Sequence, residues 1–146
     1  MNIQNLIKLV AVAMAQGKKV AFDFDQVLFD SKQGWNKPLI SALKGIGMDS
    51  ISIMSHGTTI DKIDVPFEWE RAEYETEYVL GADGIPTTDE FDKPLCIKMP
   101  VDKNTVLVDD VDWSKYNKAV ECIEYKMYDN TAEYKAAQAA AKKKYE

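Results

Sequence analysis

The chain has 146 residues, of which 46% are hydrophobic and 29% charged, and its formal net charge is −6. Such a length is typical of one domain and such a composition can bury a core, so we expect a single domain over residues 1–146 and exclude disordered and collagen-like chains. Arg71 is the only arginine. Duplex nucleic acid and anionic membranes both favour clustered cations, so neither is expected as the main partner.

The cysteines and the N-terminus indicate the compartment. Cys96 and Cys122 form no Cys-x-x-Cys pair and His56 is the only histidine, which excludes structural zinc and a disulfide framework. We therefore expect a cytoplasmic protein. The apolar N-terminal residues share one helical face and stop at Gly17, so we interpret them as a core-packed helix rather than a signal peptide. No run approaches the ~20 apolar residues of a membrane span.

The periodicity of apolar residues predicts strands and helices that alternate along the chain. Strands are predicted at 19–24, 51–54, 94–99, 105–108 and 123–128, and helices before Gly17 and at 37–46, 67–80, 113–120 and 131–146, the last with Asn130 and Glu133 as a capping pair. This order predicts an α/β fold in which about five parallel strands carry helices on both faces. Ligands of such sheets bind at the carboxyl ends of the strands.

Two acidic pairs follow predicted strands. Asp23 and Asp25 end the first strand two residues apart, and Asp109 and Asp110 follow the run 105–108. Side chains two residues apart in a strand point the same way, and carboxylates so close repel each other unless a cation lies between them. Mg²⁺ prefers a few carboxylates together with water and a substrate phosphate. These four aspartates therefore predict a Mg²⁺ site at the carboxyl edge of the sheet.

The same residues resemble the haloacid dehalogenase-like superfamily. Asp23-Phe-Asp25-Gln-Val27 after an apolar strand is similar to its first motif, Asp-x-Asp-x-Thr/Val, and Val106-Leu-Val-Asp109-Asp110 is similar to its acidic fourth motif. Ser55 stands where the second motif keeps Ser or Thr. The nearest branch in motif is that of the 5'-nucleotidases (deoxyribonucleotidases), with small phage and bacterial relatives. The resemblance implies a Rossmann-like core.

The activity that this resemblance implies is Mg²⁺-dependent hydrolysis of a small phosphate monoester, with a nucleotide as the candidate substrate. Asp23 would attack phosphorus to form an aspartyl phosphate. Asp25 would protonate the leaving oxygen and then deprotonate the hydrolytic water. Asp109 and Asp110 would hold Mg²⁺ together with Asp23 and the backbone carbonyl of Asp25, and Ser55 would donate a hydrogen bond to the phosphoryl group.

A lysine is also needed to neutralise charge that the metal does not cover. Lys93, Lys98 and Lys103 are the candidates. Lys98 is the first choice because it lies in phase with Cys96 at the carboxyl end of the predicted strand 94–99, on the edge that carries Asp23. Lys103 is the second choice, and it belongs to the connection before the next strand.

The chain departs from the family pattern in two places. Gln26 follows the second aspartate of the first motif, where these subfamilies commonly have Gly. Residues 26–50 leave room for a loop and one helix, so the cap domain is minimal or missing and the site is open. A neighbouring subunit of a homo-oligomer, or segment 61–92, would have to cover such a site to exclude water.

A second functional class remains open, a non-catalytic phospho-binding or switch module that is haloacid dehalogenase-like or receiver-like. Receiver domains place the phosphorylated Asp after the third strand and the acidic pair after the first. Here the second acidic pair comes late, which favours the phosphatase. A nucleophilic Ser55 activated by His56 is disfavoured, since adjacent residues point apart. The tryptophans at 35, 69 and 113 are interpreted as core or lid packing because no basic stripe accompanies them.

Overall fold

The computed structural model describes residues 1–55, 59–88 and 92–127. In chain order its elements are α1 (Ile3–Ala15), β1 (Lys19–Asp23), β2 (Phe29–Asp30), β3 (Gly34–Trp35), α2 (Lys37–Gly45), β4 (Ile51–Met54), β5 (Trp69–Arg71), β6 (Tyr74–Tyr78), β7 (Cys96–Pro100), β8 (Thr105–Asp109) and β9 (Glu121–Glu124). Short 3-10 helices lie at Thr59–Lys62 and Trp113–Lys115. Within these ranges no helix has the length and apolar character that crossing a bilayer requires.

Five parallel strands form the central sheet, in the order β5-β4-β1-β8-β9. The central strand β1 is apolar from Val20 to Phe22 and buried from Val20 to Asp23, as a strand covered on both faces must be. The predicted α/β class with about five parallel strands is confirmed. Residues 94–99, however, were predicted to be one of the five. They form β7 instead, which pairs with β6 in a separate antiparallel ribbon, and β5 is the fifth parallel strand.

The prediction of a helix at 67–80 is wrong, because this stretch contains the strands β5 and β6. In β6, Tyr74, Thr76 and Tyr78 alternate with Glu75 and Glu77. Aromatic and β-branched residues at every second position fit the two-residue period of a strand rather than the period of a helix. The pairing of β6 with β7 uses this alternation and brings Thr76 opposite Lys98.

Alternation along β1 separates two hydrophobic clusters, one on each face of the sheet. The first-face cluster contains Val20 and Phe22 and is covered by α1 and α2. The second-face cluster contains Ala21 and, in the described part of the chain, is covered by β7 and the segment that begins at Trp113. Both described α-helices thus lie on the first face. The predicted closing helix at 131–146, with its capping pair, falls outside the described residues.

The remaining boundaries differ modestly from the predictions. The helix expected at 113–120 is reduced to the single 3-10 turn Trp113–Lys115. The last strand, expected at 123–128, is β9 at Glu121–Glu124, and residue 128 lies outside the described ranges. Residues 26–50 hold the β2–β3 hairpin, α2 and their connections.

Candidate functional site

The two acidic strand ends meet at one edge of the sheet. β1 and β8 are neighbours in parallel register, so Asp23 and Asp109 end adjacent strands. Both side chains are buried, and Asp110 follows Asp109 with intermediate exposure. One carboxylate oxygen from each of Asp23, Asp109 and Asp110 lies within 4.8 Å of the others. We call these three residues the acidic triad.

Lys98 contributes the positive charge beside the acidic triad. Its Nζ donates a hydrogen bond to Asp23 Oδ1 at 2.6 Å and lies 3.8 Å from Asp109 Oδ2. The side chain is buried and reaches the site from β7, hence from the ribbon on the second face rather than from a strand of the parallel sheet. Lys93 and Lys103 are exposed at the surface. Of the three candidate lysines, Lys98 is the one that the structure brings to Asp23.

Ser55 lies next to Asp23 because β4 pairs with β1. Asp23 is aligned with Met54, the last residue of β4, and the buried Ser55 follows directly. The Tyr74 hydroxyl donates a hydrogen bond to the Ser55 carbonyl oxygen at 3.0 Å, which ties the end of β4 to the ribbon. Tyr74 was not singled out from the sequence, since it fell inside the helix predicted at 67–80. His56 lies outside the described residues.

Asp25 is placed differently from the acidic triad. β1 ends at Asp23, so Asp25 belongs to the loop beyond the strand and its side chain is exposed. Partial desolvation raises the pKa of its carboxyl group, and the nearby Lys98 acts in the opposite direction. Its carboxylate is not part of the group that could hold a metal ion, within the described residues. A contribution of Asp25 to a metal would therefore come from its backbone carbonyl, as the resemblance implies.

Gln26 has a φ of 66°, in the left-handed region that favours glycine. Its N–H donates to the Phe29 carbonyl and its own carbonyl accepts from Met127, so backbone hydrogen bonds on both sides fix the turn. Gln26 therefore keeps the tight turn although it stands where the resembled subfamilies commonly have Gly. Its Cβ, however, is held in a conformation that glycine adopts without strain.

The electrostatics of the acidic triad indicate an excess of negative charge. Burial, followed by the charge of Asp109, raises the pKa of Asp23 to about 6 although Lys98 opposes the shift. Burial and the interactions with Asp109 and Asp23 raise the pKa of Asp110 to about 8. Burial alone would lower the pKa of Lys98. The negative charges of Asp23 and Asp109 have the larger combined effect, so the lysine pKa is raised above its ordinary value. One ammonium group thus faces three carboxyl groups.

This donor set fits the metal that the resemblance implies. The three side chains of the acidic triad offer carboxylate oxygens only, the ligands that hard divalent cations such as Mg²⁺ prefer. A cation among them would also relieve the repulsion that burial strengthens. The residues present are therefore chemically suited to Mg²⁺.

Sequence reasoning missed a polar role for Trp113. The residue is buried in the second-face cluster, as the packing interpretation expected. Its indole Nε1 also donates a hydrogen bond to Asp109 Oδ2 at 3.0 Å. The one available signal was the spacing, a tryptophan four residues after Asp109, which only a tight turn brings back to the carboxylate.

Comparisons of the chain with protein-family models, with curated proteins and with solved structures gave no match.

Proposed function

We propose that the protein is a Mg²⁺-dependent phosphohydrolase with a haloacid dehalogenase-like core, which cleaves a small phosphate monoester through an aspartyl phosphate. One observation carries the proposal: Asp23 ends the central strand with Lys98 on one of its oxygens and with Asp109 and Asp110 close by. The hydrogen bond and the positive charge of Lys98 both lower the pKa of Asp23 and so favour its ionised form, which a carboxylate nucleophile needs. A nucleotide is the candidate substrate.

The proposed chemistry has two steps. A carboxylate oxygen of Asp23 attacks phosphorus, the ester P–O bond breaks, and Asp25 gives its proton to the leaving oxygen. Asp25 then removes a proton from water, whose oxygen attacks the same phosphorus, so that phosphate leaves and the Asp23 carboxylate is restored. The raised pKa of the Asp25 carboxyl group supports its role as the acid.

Lys98 and Ser55 would stabilise the group in transfer. The ammonium of Lys98, 2.6 Å from Asp23 Oδ1, would balance negative charge as the phosphoryl group meets the nucleophile. Ser55, beside Asp23 at the end of β4, would donate a hydrogen bond to a phosphoryl oxygen. Asp23, Asp109, Asp110 and the backbone carbonyl of Asp25 would hold Mg²⁺, which would supply positive charge to offset the negative charge of the phosphoryl group.

A phospho-binding or switch module without turnover is the second candidate. The observation that favours it is the position of Asp25, which is exposed and whose carboxylate accepts no hydrogen bond from the described residues. An acid that is not held in place protonates a leaving group less effectively. A phosphorylated Asp23 that is formed but not hydrolysed would be the mark of this module.

The cellular compartment and the binding partners that we propose are based on the cysteines and the charge of the chain. Cys96 and Cys122 are both free thiols, which is in keeping with a reducing cytoplasm, the compartment we propose. The partner we propose is a small phosphorylated molecule rather than duplex nucleic acid or a membrane. A second subunit covering the open site remains part of this proposal.

A phosphate-release screen tests the function. The purified protein is incubated with nucleotides and sugar phosphates in Mg²⁺ and, separately, in EDTA, with Asp23→Asn as the inactive control. We expect release from at least one substrate in Mg²⁺ and none in EDTA or from Asp23→Asn. Release that is equal in EDTA, or equal in the variant, would contradict the proposal. Stable phosphorylation of the protein without release would support the switch module instead.

A further inference from the structure

The carboxylate of Asp109 is held from two sides. Trp113 Nε1 donates to Oδ2 at 3.0 Å, and the Val111 backbone N–H donates to Oδ1 at 3.2 Å. Asp109 is 1% exposed, so these protein donors replace solvent around it. Each oxygen can accept more than one hydrogen bond, and therefore each keeps a lone pair for a further partner. The orientation of the carboxylate is thus set before any ligand arrives.

Trp113 is itself held firmly in its position. Asp112 caps the 3-10 turn that begins at Trp113 by accepting a hydrogen bond from the Ser114 backbone N–H at 3.1 Å. The indole ring is buried in the second-face cluster, with its centroid 5.8 Å from that of the Tyr116 ring. An indole N–H can only donate, and a buried one needs an acceptor. The turn and the packing together direct this donor at Asp109.

We infer that Trp113 is a positioning residue for the cation site of the acidic triad, where its N–H fixes the orientation of the Asp109 carboxylate. The inference rests on the proposed function, since it takes Asp109 as a ligand of a hard divalent cation. Hydrogen bonds from neighbouring groups orient metal ligands in this way, and their loss weakens metal affinity by about 10–100-fold. Trp113 touches neither the phosphoryl group nor the nucleophile in this assignment.

The test measures cation affinity rather than turnover. Trp113→Phe keeps most of the ring and removes the N–H donor. Trp69→Phe is the matched control, because Trp69 lies on β5, which β4 and β1 separate from β8. Titration calorimetry with Mg²⁺ should give a Kd raised by about 10-fold or more for Trp113→Phe. The Kd of Trp69→Phe should stay within about twofold of the wild type, as for most substitutions away from a site.

A Trp113→Phe protein that folds and binds Mg²⁺ with the wild-type Kd would overturn the inference and leave the metal site standing. A wild type that binds no Mg²⁺ would overturn the proposed metal centre and the inference together, so the two failures are distinguishable.

Nuclear magnetic resonance of the wild type keeps the inference testable if Trp113→Phe does not fold. The indole N–H resonance of Trp113, assigned by elimination with Trp35→Phe and Trp69→Phe, should shift on Mg²⁺ saturation while those of Trp35 and Trp69 stay in place. A Trp113 resonance that does not move while backbone amides of the acidic triad do would overturn the assignment.

Discussion

At the level of single residues, the site is defined by how burial acts on charge. Asp23 and Asp109 are almost removed from water, and Lys98 is the buried cation that contacts them. Buried charges are stable only when paired, so the carboxyl groups that Lys98 does not balance need either a proton, as the raised pKa of Asp110 indicates, or a further cation. Mg²⁺ and the lysine therefore have complementary tasks in the proposed chemistry.

The first prediction separates Lys98 from Lys103. Lys98→Ala should lower kcat/KM by about 10²-fold or more, the usual effect of losing one preorganised charge-stabilising donor. Lys103→Ala makes the same change at an exposed position and should alter kcat/KM by less than about threefold. Both variants are measured at saturating Mg²⁺. The reverse ranking would remove Lys98 from the reaction.

Gln26 gives a prediction about stability. A non-glycine residue with left-handed φ carries a strain of about 1–2 kcal/mol, which glycine relieves. Glycine also increases the conformational entropy of the unfolded chain, and this offsets part of the stabilisation. Gln26→Gly should therefore raise the free energy of unfolding by about 0.5–1 kcal/mol, measured by urea denaturation. Gln33→Gly is the control, because Gln33 is exposed and is not among the described residues with positive φ, and it should be destabilising. Equal destabilisation by both changes would contradict the strain at Gln26.

At the level of elements, α2 is attached to the rest of the fold by its N-terminal cap. The buried Asn36 side chain accepts a hydrogen bond from Leu39 N–H and donates to the Val27 carbonyl oxygen and the Tyr125 hydroxyl, each of the latter at 3.0 Å. One side chain thus joins α2 to the loop after β1 and to the segment after β9.

We predict that Asn36→Ala lowers the free energy of unfolding by about 2–4 kcal/mol, because the cap is lost together with hydrogen bonds to buried groups. Asn2 caps α1 at the surface by accepting a single hydrogen bond from the Asn5 N–H, so Asn2→Ala should cost about 0.5–1 kcal/mol. Chemical denaturation of the two variants compares them. Similar losses for both would show that the buried hydrogen bonds of Asn36 contribute little.

The elements also show which features the sequence could predict. β1 and β8 are apolar runs that end in acid, and parallel strands bring their carboxyl ends together, so the meeting of Asp23 with Asp109 followed from local pattern and general topology. The route by which Lys98 reaches Asp23 did not follow, because it depends on the pairing of β7 with β6. Such pairing between distant segments leaves a weak signal in any short window. The Trp113 hydrogen bond depends on a single turn, which apolar periodicity does not describe.

At the level of the whole molecule, a net charge of −6 and an acidic site both oppose the approach of a phosphate monoester. A bound cation would reverse the field at the point where the substrate must enter. Cation binding should therefore precede substrate binding and should stabilise the folded chain, since the acidic triad exists only in the folded state.

We accordingly predict that Mg²⁺ raises the melting temperature. At a Mg²⁺ concentration about 100-fold above Kd the stabilisation is about 2.7 kcal/mol, which corresponds to roughly 5–10 °C for a domain of this size. Differential scanning calorimetry compares Mg²⁺ with EDTA at matched ionic strength. Asp110→Asn is the control, and its melting temperature should respond less to Mg²⁺ because one ligand is lost. Equal melting temperatures of the wild type in Mg²⁺ and EDTA would contradict the prediction.

The central claim is that Asp23 carries the phosphoryl group during turnover, and trapping the intermediate tests it most directly. The protein is mixed in Mg²⁺ with a phosphate monoester selected by the phosphate-release screen and is then quenched in acid. Borohydride reduction, which converts an aspartyl phosphate to homoserine, is followed by peptide mass spectrometry. We predict homoserine at position 23 in the wild type and none in Asp23→Asn. Trapping at another residue, or rapid phosphate release by Asp23→Asn, would contradict the claim.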